Sequence, residues 1–153
     1  RQILPELLKD FQVIHLCGKG KLDENLEGTK GYVQYEYIKK ELADLFALAD
    51  IVISRAGANA ICELSALKKP NLLIPLSARA SRGDQILNAR SFERLGYSKV
   101  LEEEEITNEK LLSTVQDLYA NRETYTAAMS SSKHKDSIEQ IVQLFESALN
   151  KAN

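Results

Sequence analysis

Ten residues, Ser54 to Glu63, combine groups that can do chemistry: Gly57 and Ala58 follow an apolar run, and the carboxylate Glu63 follows them. A small-residue turn that opens a helix directs unpaired backbone N–H groups outward, and the helix dipole favours an anion there. A phosphate group fits that chemistry. An ordinary strand-to-helix turn, with glycine supplying an unusual dihedral, fits the same letters. Glu63 reads as lying in the first helical turn, where its small and apolar flanks predict partial burial. A carboxylate there accepts hydrogen bonds from a ribose diol or simply complements the helix dipole.

Other candidates are weaker. Gly18-Lys19-Gly20 has part of a phosphate-cradling loop, without the full spacing that ends in Gly-Lys-Ser/Thr. Asp84, Gln85 and Asn88 stand at a predicted helix start, where amides read sugar hydroxyls or Asp84 caps the helix. Arg79 and Arg82 read as a solvated loop, and so does the acidic run Glu102–Glu105. His15 lies in an apolar strand and reads as a packed core histidine; His134 reads as exposed. No spacing indicates a catalytic triad or a zinc site, and no cofactor or metal is expected. Tyr32, Tyr35, Tyr37 and Phe46 read as core and sheet residues. No basic groove accompanies them, so nucleic acid is not an expected partner.

The elements that must position these groups alternate. Residues 3–11 carry apolar positions at helical spacing, with Pro5 as a start or kink. Val13, Ile14 and Leu16 predict a buried strand that ends at Cys17. Val33, Tyr35 and Tyr37 alternate as a strand does. Leu42, Leu45, Phe46 and Ala49 mark a helical face. Ile51 to Ile53 and Leu72 to Leu76 predict two fully apolar strands, with Pro75 at the end of the second. Between them, Ala60, Leu64 and Leu67 define one side of a helix that Lys69-Pro70 terminates. A helix over residues 84–95 is capped by Gly96, a strand follows at Val100-Leu101, and Leu111, Val115 and Leu118 mark another helix. A last helix opens with the capping pair Asp136 and Glu139. It presents Ile138, Ile141, Val142, Phe145 and Leu149.

Apolar strands alternating with helices predict an α/β fold: a doubly wound, mostly parallel sheet with helices on both faces. Ligands in such sheets bind beyond the carboxyl ends of the strands. The loops at 17–20, 54–59 and 77–85 are therefore expected to open onto one edge. The chain has 153 residues, 44% of them apolar, and a net charge of −2. That suits a single domain, with no global attraction to nucleic acid. Two cysteines, Cys17 and Cys62, without metal-type spacing indicate a reducing compartment rather than a disulfide scaffold. No apolar run reaches the roughly 18 residues of a membrane span. The start at Arg1, inside a helical pattern, predicts a piece of a longer protein.

Read together, "ADIVISRAGANAICELSALKKPNLLIPL" and "DQILNARSFERLG" closely resemble the MurG family. These are the peptidoglycan GlcNAc transferases that make lipid II from lipid I. The combination of the Gly-Ala turn, the glutamate, the proline-containing strand and Gln-x-x-Asn-Ala carries the resemblance, which covers nearly all of the chain. It implies the C-terminal, donor-binding domain of a GT-B glycosyltransferase, here residues 1–153, with the first strand and the N-terminal domain missing. It implies that Gly57, Ala58, Asn59, Ala60, Ile61, Cys62 and Glu63 bind UDP-GlcNAc, with backbone amides on the diphosphate and Glu63 on the ribose. Ile38 would contact uracil through its backbone, and Gln85 would read GlcNAc hydroxyls. Cys17 falls where some members carry a hydroxyl group; a thiol is a weaker donor.

The resemblance further implies a full-length enzyme held peripherally at the cytoplasmic face of the bacterial cell membrane. Its lipid I acceptor would be bound through the missing N-terminal domain. The catalytic base would lie there too, so these residues alone are expected to be inactive. Another GT-B UDP-sugar enzyme, such as a glycolipid synthase or an epimerase, shares the turn and the glutamate. A non-enzymatic α/β interaction domain is the remaining alternative.

Overall fold

The computed structural model describes residues 1–80 and 82–131. The predicted last helix and His134 lie outside them. A short helix α1 (Leu4–Leu7) with Pro5 in its first turn leads to strand β1 (Val13–Leu16). Strand β2 (Tyr32–Tyr35) and helix α2 (Leu42–Leu48) follow. Then strands and helices alternate: β3 (Val52–Ser54), α3 (Ala58–Ala66), β4 (Asn71–Leu73), α4 (Asp84–Arg94) and β5 (Ser98–Val100). Helices α5 (Asn108–Ala120) and α6 (Arg122–Ser130) complete the described order.

All strand pairings are parallel, in two ladders: β1 with β2, and β3–β4–β5. The expected single sheet is thus divided. β1 and β3 each stand at the edge of a ladder, and no described strand pairs with either free edge. The two ladders nevertheless share a core, because Val13 and Ile51 pack on the cluster built by Ile3, Leu7, Leu72, Leu101, Val115 and Leu118.

Neighbouring residues of β4 show the double winding directly. Leu72 joins the cluster with α1 and α5, whereas Leu73 joins Ile61 and Ala89 from α3 and α4. Successive strand side chains point to opposite faces, and both leucines are fully buried. Helices therefore cover β4 on both faces. This is why its sequence is continuously apolar rather than alternating.

Helix ends follow local chemistry. In α3, Ile61 and Leu64 form the buried stripe, while Leu67 is exposed, against expectation. The helix has already ended there. Lys68 takes the left-handed conformation (φ 53°), and the amides of Lys68 and Lys69 donate to Ser65 and Leu64. At the end of α4, Gly96 has φ 73° and its amide bonds Glu93, with Tyr97 bonding Phe92. That is the expected glycine-terminated cap. Pro75 is buried two residues beyond β4, where no ladder donor is required.

Tyr37 corrects the sequence reading: it lies beyond β2 and is 63% exposed, and Tyr35 is exposed too. The alternation in β2 buries Tyr32 on one face, and the described residues leave the other face open. On that open face Ile14 and Leu16 lie in register with Val33 and Tyr35, and all four are exposed.

Candidate functional site

The carboxyl ends of β3, β4 and β5 carry the loops that converge. After β3 the chain runs through Arg55 and buried Ala56 to Gly57, which is the N-cap of α3. No side chain caps this helix. The first intrahelical bond is made by Ile61 to the Gly57 carbonyl, so the amides ahead of it belong to the unpaired donors of a helix start. Gly57 has φ −68° and ψ 139°, an extended backbone open to any residue. The unusual-dihedral explanation for this glycine therefore does not hold. A Cβ at Gly57 would meet nothing within 4 Å. The turn is bare on its outer side.

Glu63 departs from the sequence reading in two respects. It is the sixth residue of α3, hence in the second turn, and it is exposed rather than partly buried. The helix starts earlier than a first-turn Glu63 requires, at Ala58 directly after the Gly57 N-cap. Glu63 makes no ion pair among the described residues, so its carboxylate oxygens face outward. Asn59 and Cys62 are likewise exposed, and Ala60 is half-buried. Ile61 is 2% exposed and points into the core with Leu73 and Ala89. Its contribution is to anchor the helix.

Helix α4 reaches back to both neighbouring loops. The Gln85 side-chain carbonyl accepts from the Leu76 amide at 3.1 Å, and Asn88 Nδ2 donates to the Ala56 carbonyl at 3.3 Å. These residues sit three apart, on one helix face. Gln85 thereby keeps its NH₂ end directed away from the loop it supports. Gly83, the N-cap of α4, has φ 84°, a left-handed turn that glycine adopts without strain.

The first ladder carries a separate group. Gly18 and Gly20 have φ 88° and 69°, which accounts for both glycines of the Gly-Lys-Gly turn. The Gly20 amide donates to the Glu36 carboxylate at 2.6 Å, so that donor is already engaged. Cys17 is half-buried, and its thiol donates to the Tyr35 carbonyl at 3.2 Å. Ile38 lies in the irregular segment after β2. His15 Nδ1 stands 2.9 Å from the Tyr32 hydroxyl. Burial, then Arg1 and the chain's amino terminus, hold its imidazole below the usual range.

The acidic run is not uniformly solvated. Glu102 pairs with Arg90 at 2.5 Å and Glu105 with Lys110 at 2.7 Å. Glu103 pairs with Arg55 at 2.9 Å and also accepts the Ser77 amide. Sequence spacing carries no signal for the Arg55–Glu103 pair, because its partners are 48 residues apart. Among the described residues no group of three or more His, Cys, Asp or Glu side chains is placed to hold a metal ion. No described helix is long and apolar enough to cross a membrane.

Residues 2–143 match the model of the glycosyltransferase family 28 C-terminal domain. Two similar curated proteins come from Lachnospira eligens and Lachnoclostridium phytofermentans. They are 65% and 63% identical to this chain over 146 residues, which is 95% of the chain. Each is named UDP-N-acetylglucosamine--N-acetylmuramyl-(pentapeptide) pyrophosphoryl-undecaprenol N-acetylglucosamine transferase. The chain spans 41% of the length of these curated relatives. Among solved structures, the crystal structure of Acinetobacter baumannii MurG superposes with a TM-score of 0.69 at 22% identity. That match covers 95% of this chain and 45% of the other, and it supports the same fold.

Proposed function

This chain belongs to the glycosyltransferase family 28 C-terminal domain family, and on that premise we propose that it is the UDP-GlcNAc-binding half of an inverting glycosyltransferase. The whole enzyme would transfer GlcNAc to lipid I and form lipid II in peptidoglycan synthesis, and so serve cell-wall biogenesis, cell shape and division. Residues 1–153 would act as one donor-binding domain. The remainder would hold the acceptor and associate peripherally with the cytoplasmic face of the bacterial cell membrane.

The observation that carries this reading is the bare, uncapped start of α3, where Gly57 has neither a dihedral nor a packing reason to lack a side chain. An external group that approaches the backbone closely supplies that reason. The diphosphate of the donor would accept from the amides of Ala58, Asn59 and Ala60. Glu63, exposed one turn further on, would accept both ribose hydroxyls, with Cys62 beside it. Gln85 would present its free NH₂ to GlcNAc hydroxyls. The Ile38 backbone would meet the uracil, with Cys17 near the nucleotide.

In the reaction the 4-hydroxyl oxygen of the muramoyl sugar attacks C1 of GlcNAc. The bond from C1 to the diphosphate oxygen breaks, and its electron pair leaves with UDP. The hydroxyl proton passes to a base outside this chain. Negative charge grows on the departing diphosphate, and fixed amide dipoles at the helix start stabilise it without reorganising. These residues contribute donor binding and leaving-group stabilisation, so by themselves they are expected to bind donor without turnover.

Calorimetric titration of UDP into the wild-type chain and Glu63→Ala tests the assignment. Two lost charge-assisted hydrogen bonds are expected to weaken binding by about tenfold or more. Equal affinities would refute the ribose role of Glu63. Absence of any uridine-nucleotide binding by the wild type would refute the donor reading and favour an interaction domain. Preference for UDP-galactose over UDP-GlcNAc would favour a different UDP-sugar enzyme.

A further inference from the structure

Glu103 lies in the 3-10 turn that follows β5 (Glu103–Glu105). Its two carboxylate oxygens go to two different loops. Oε1 accepts from Arg55 Nη2 at 2.9 Å, and Oε2 accepts from the Ser77 amide at 3.3 Å. Arg55 also donates through Nη1 to the Ile74 carbonyl at 3.3 Å. One carboxylate therefore joins the segments beyond three successive parallel strands, β3, β4 and β5. Arg55 stands two residues before the N-cap of α3. Ser77 follows Leu76, whose amide holds the Gln85 side chain.

We infer that Glu103 is a positioning residue for the donor site, clamping the turn before α3 against the loop that orients Gln85; this rests on the donor reading above. A diphosphate site made of backbone amides has no side chain of its own to adjust. Its donors point correctly only if the turn carrying them is held, and small displacements of such donors are costly. The remaining acids of the run do other work. Glu102 and Glu105 pair with Arg90 and Lys110, and Glu104 is exposed without an ion pair among the described residues. Glu104 is thus an internal control of the same charge, one residue away. The pull of Arg55, followed by the Ser77 amide, holds the Glu103 carboxyl below the usual carboxylate range.

The test compares Glu103→Gln with Glu104→Gln in the 153-residue chain. UDP affinity is read by calorimetry, melting temperature by thermal unfolding, and backbone amide shifts by NMR without ligand. Glu103→Gln is expected to weaken UDP binding about three- to tenfold, the scale of one lost hydrogen bond. It should shift the amides of Arg55 to Ala60 and Ser77 while the melting temperature holds, because exposed ion pairs add little to global stability. Glu104→Gln should match wild type in all three. If the two variants behave alike, or if Glu103→Gln loses affinity only in step with global unfolding, the positioning role is overturned. A wild-type chain that binds no uridine nucleotide would overturn the donor reading and the role together. The ligand-free amide shifts report separately whether the clamp exists.

Discussion

At Gly57 a Cβ would meet nothing within 4 Å, and the extended backbone there suits any residue. Folding alone does not require glycine at this position. Replacing glycine with alanine removes freedom from the unfolded chain, which opposes the poorer standing of alanine at an N-cap. Gly57→Ala should therefore leave stability within about 1 kcal/mol of wild type. If a diphosphate approaches this turn, the added methyl group should weaken UDP binding at least tenfold, since it stands where the ligand backbone contact would be. Thermal unfolding and calorimetry on the same variant check the two halves. A large stability loss, or unchanged affinity, would show that the glycine serves something else. The sequence marked these letters as candidates but did not give their geometry. It placed Glu63 in the first turn because letters do not mark where a turn ends and a helix begins. Arg55 and Glu103 stayed invisible for a different reason: each looks like an ordinary surface charge until the fold brings them together.

The elements were more legible than their ends. The continuous apolar run at β4 identified a strand covered on both faces, and Leu72 and Leu73 bear this out by joining opposite clusters; the similar run at β3 did not, since Ile53 is 44% exposed. The alternation at 33–37 identified a strand but not its buried face, because Val33 and Tyr35 are exposed while Tyr32 is buried, and it overextended the strand to Tyr37, since tyrosine favours strands wherever it stands. The β1–β2 pair carries a testable pH dependence. His15 Nδ1 and the Tyr32 hydroxyl bridge these strands at 2.9 Å, and burial, followed by Arg1 and the amino terminus, depresses the imidazole in the folded state. The unfolded histidine has a value near 6.5, so below that pH the unfolded chain binds more protons than the native one. The stability held by neutral His15 is complete above about pH 6.5 and is lost as pH falls through the depressed native value. Melting temperature is thus expected to decline from pH 7.5 to 5.5 in wild type and to decline less in His15→Gln. Parallel curves for the two proteins would remove His15 as the cause.

For the whole molecule, the division into two ladders governs what is left uncovered. Parallel strands normally occur in sheets buried on both faces, but here Ile14 and Leu16 of β1 and Val33 and Tyr35 of β2 are between 38% and 44% exposed. They are cross-strand neighbours, so they form one contiguous apolar patch beside the free edge of β1. Ile53 on β3, whose outer edge is also free, is 44% exposed. Residue letters could not reveal this, since a strand reads as apolar whether or not its cover is present. An open ladder edge next to apolar side chains is a template for association between chains. In sedimentation runs over a rising concentration series, the weight-average mass of this chain should climb above 17.1 kDa. The double variant Ile14→Lys and Val33→Lys adds charge to the centre of the patch, leaves α3 and α4 untouched, and should hold the mass near the monomer value. A wild-type chain that stays monomeric across the series would overturn the association.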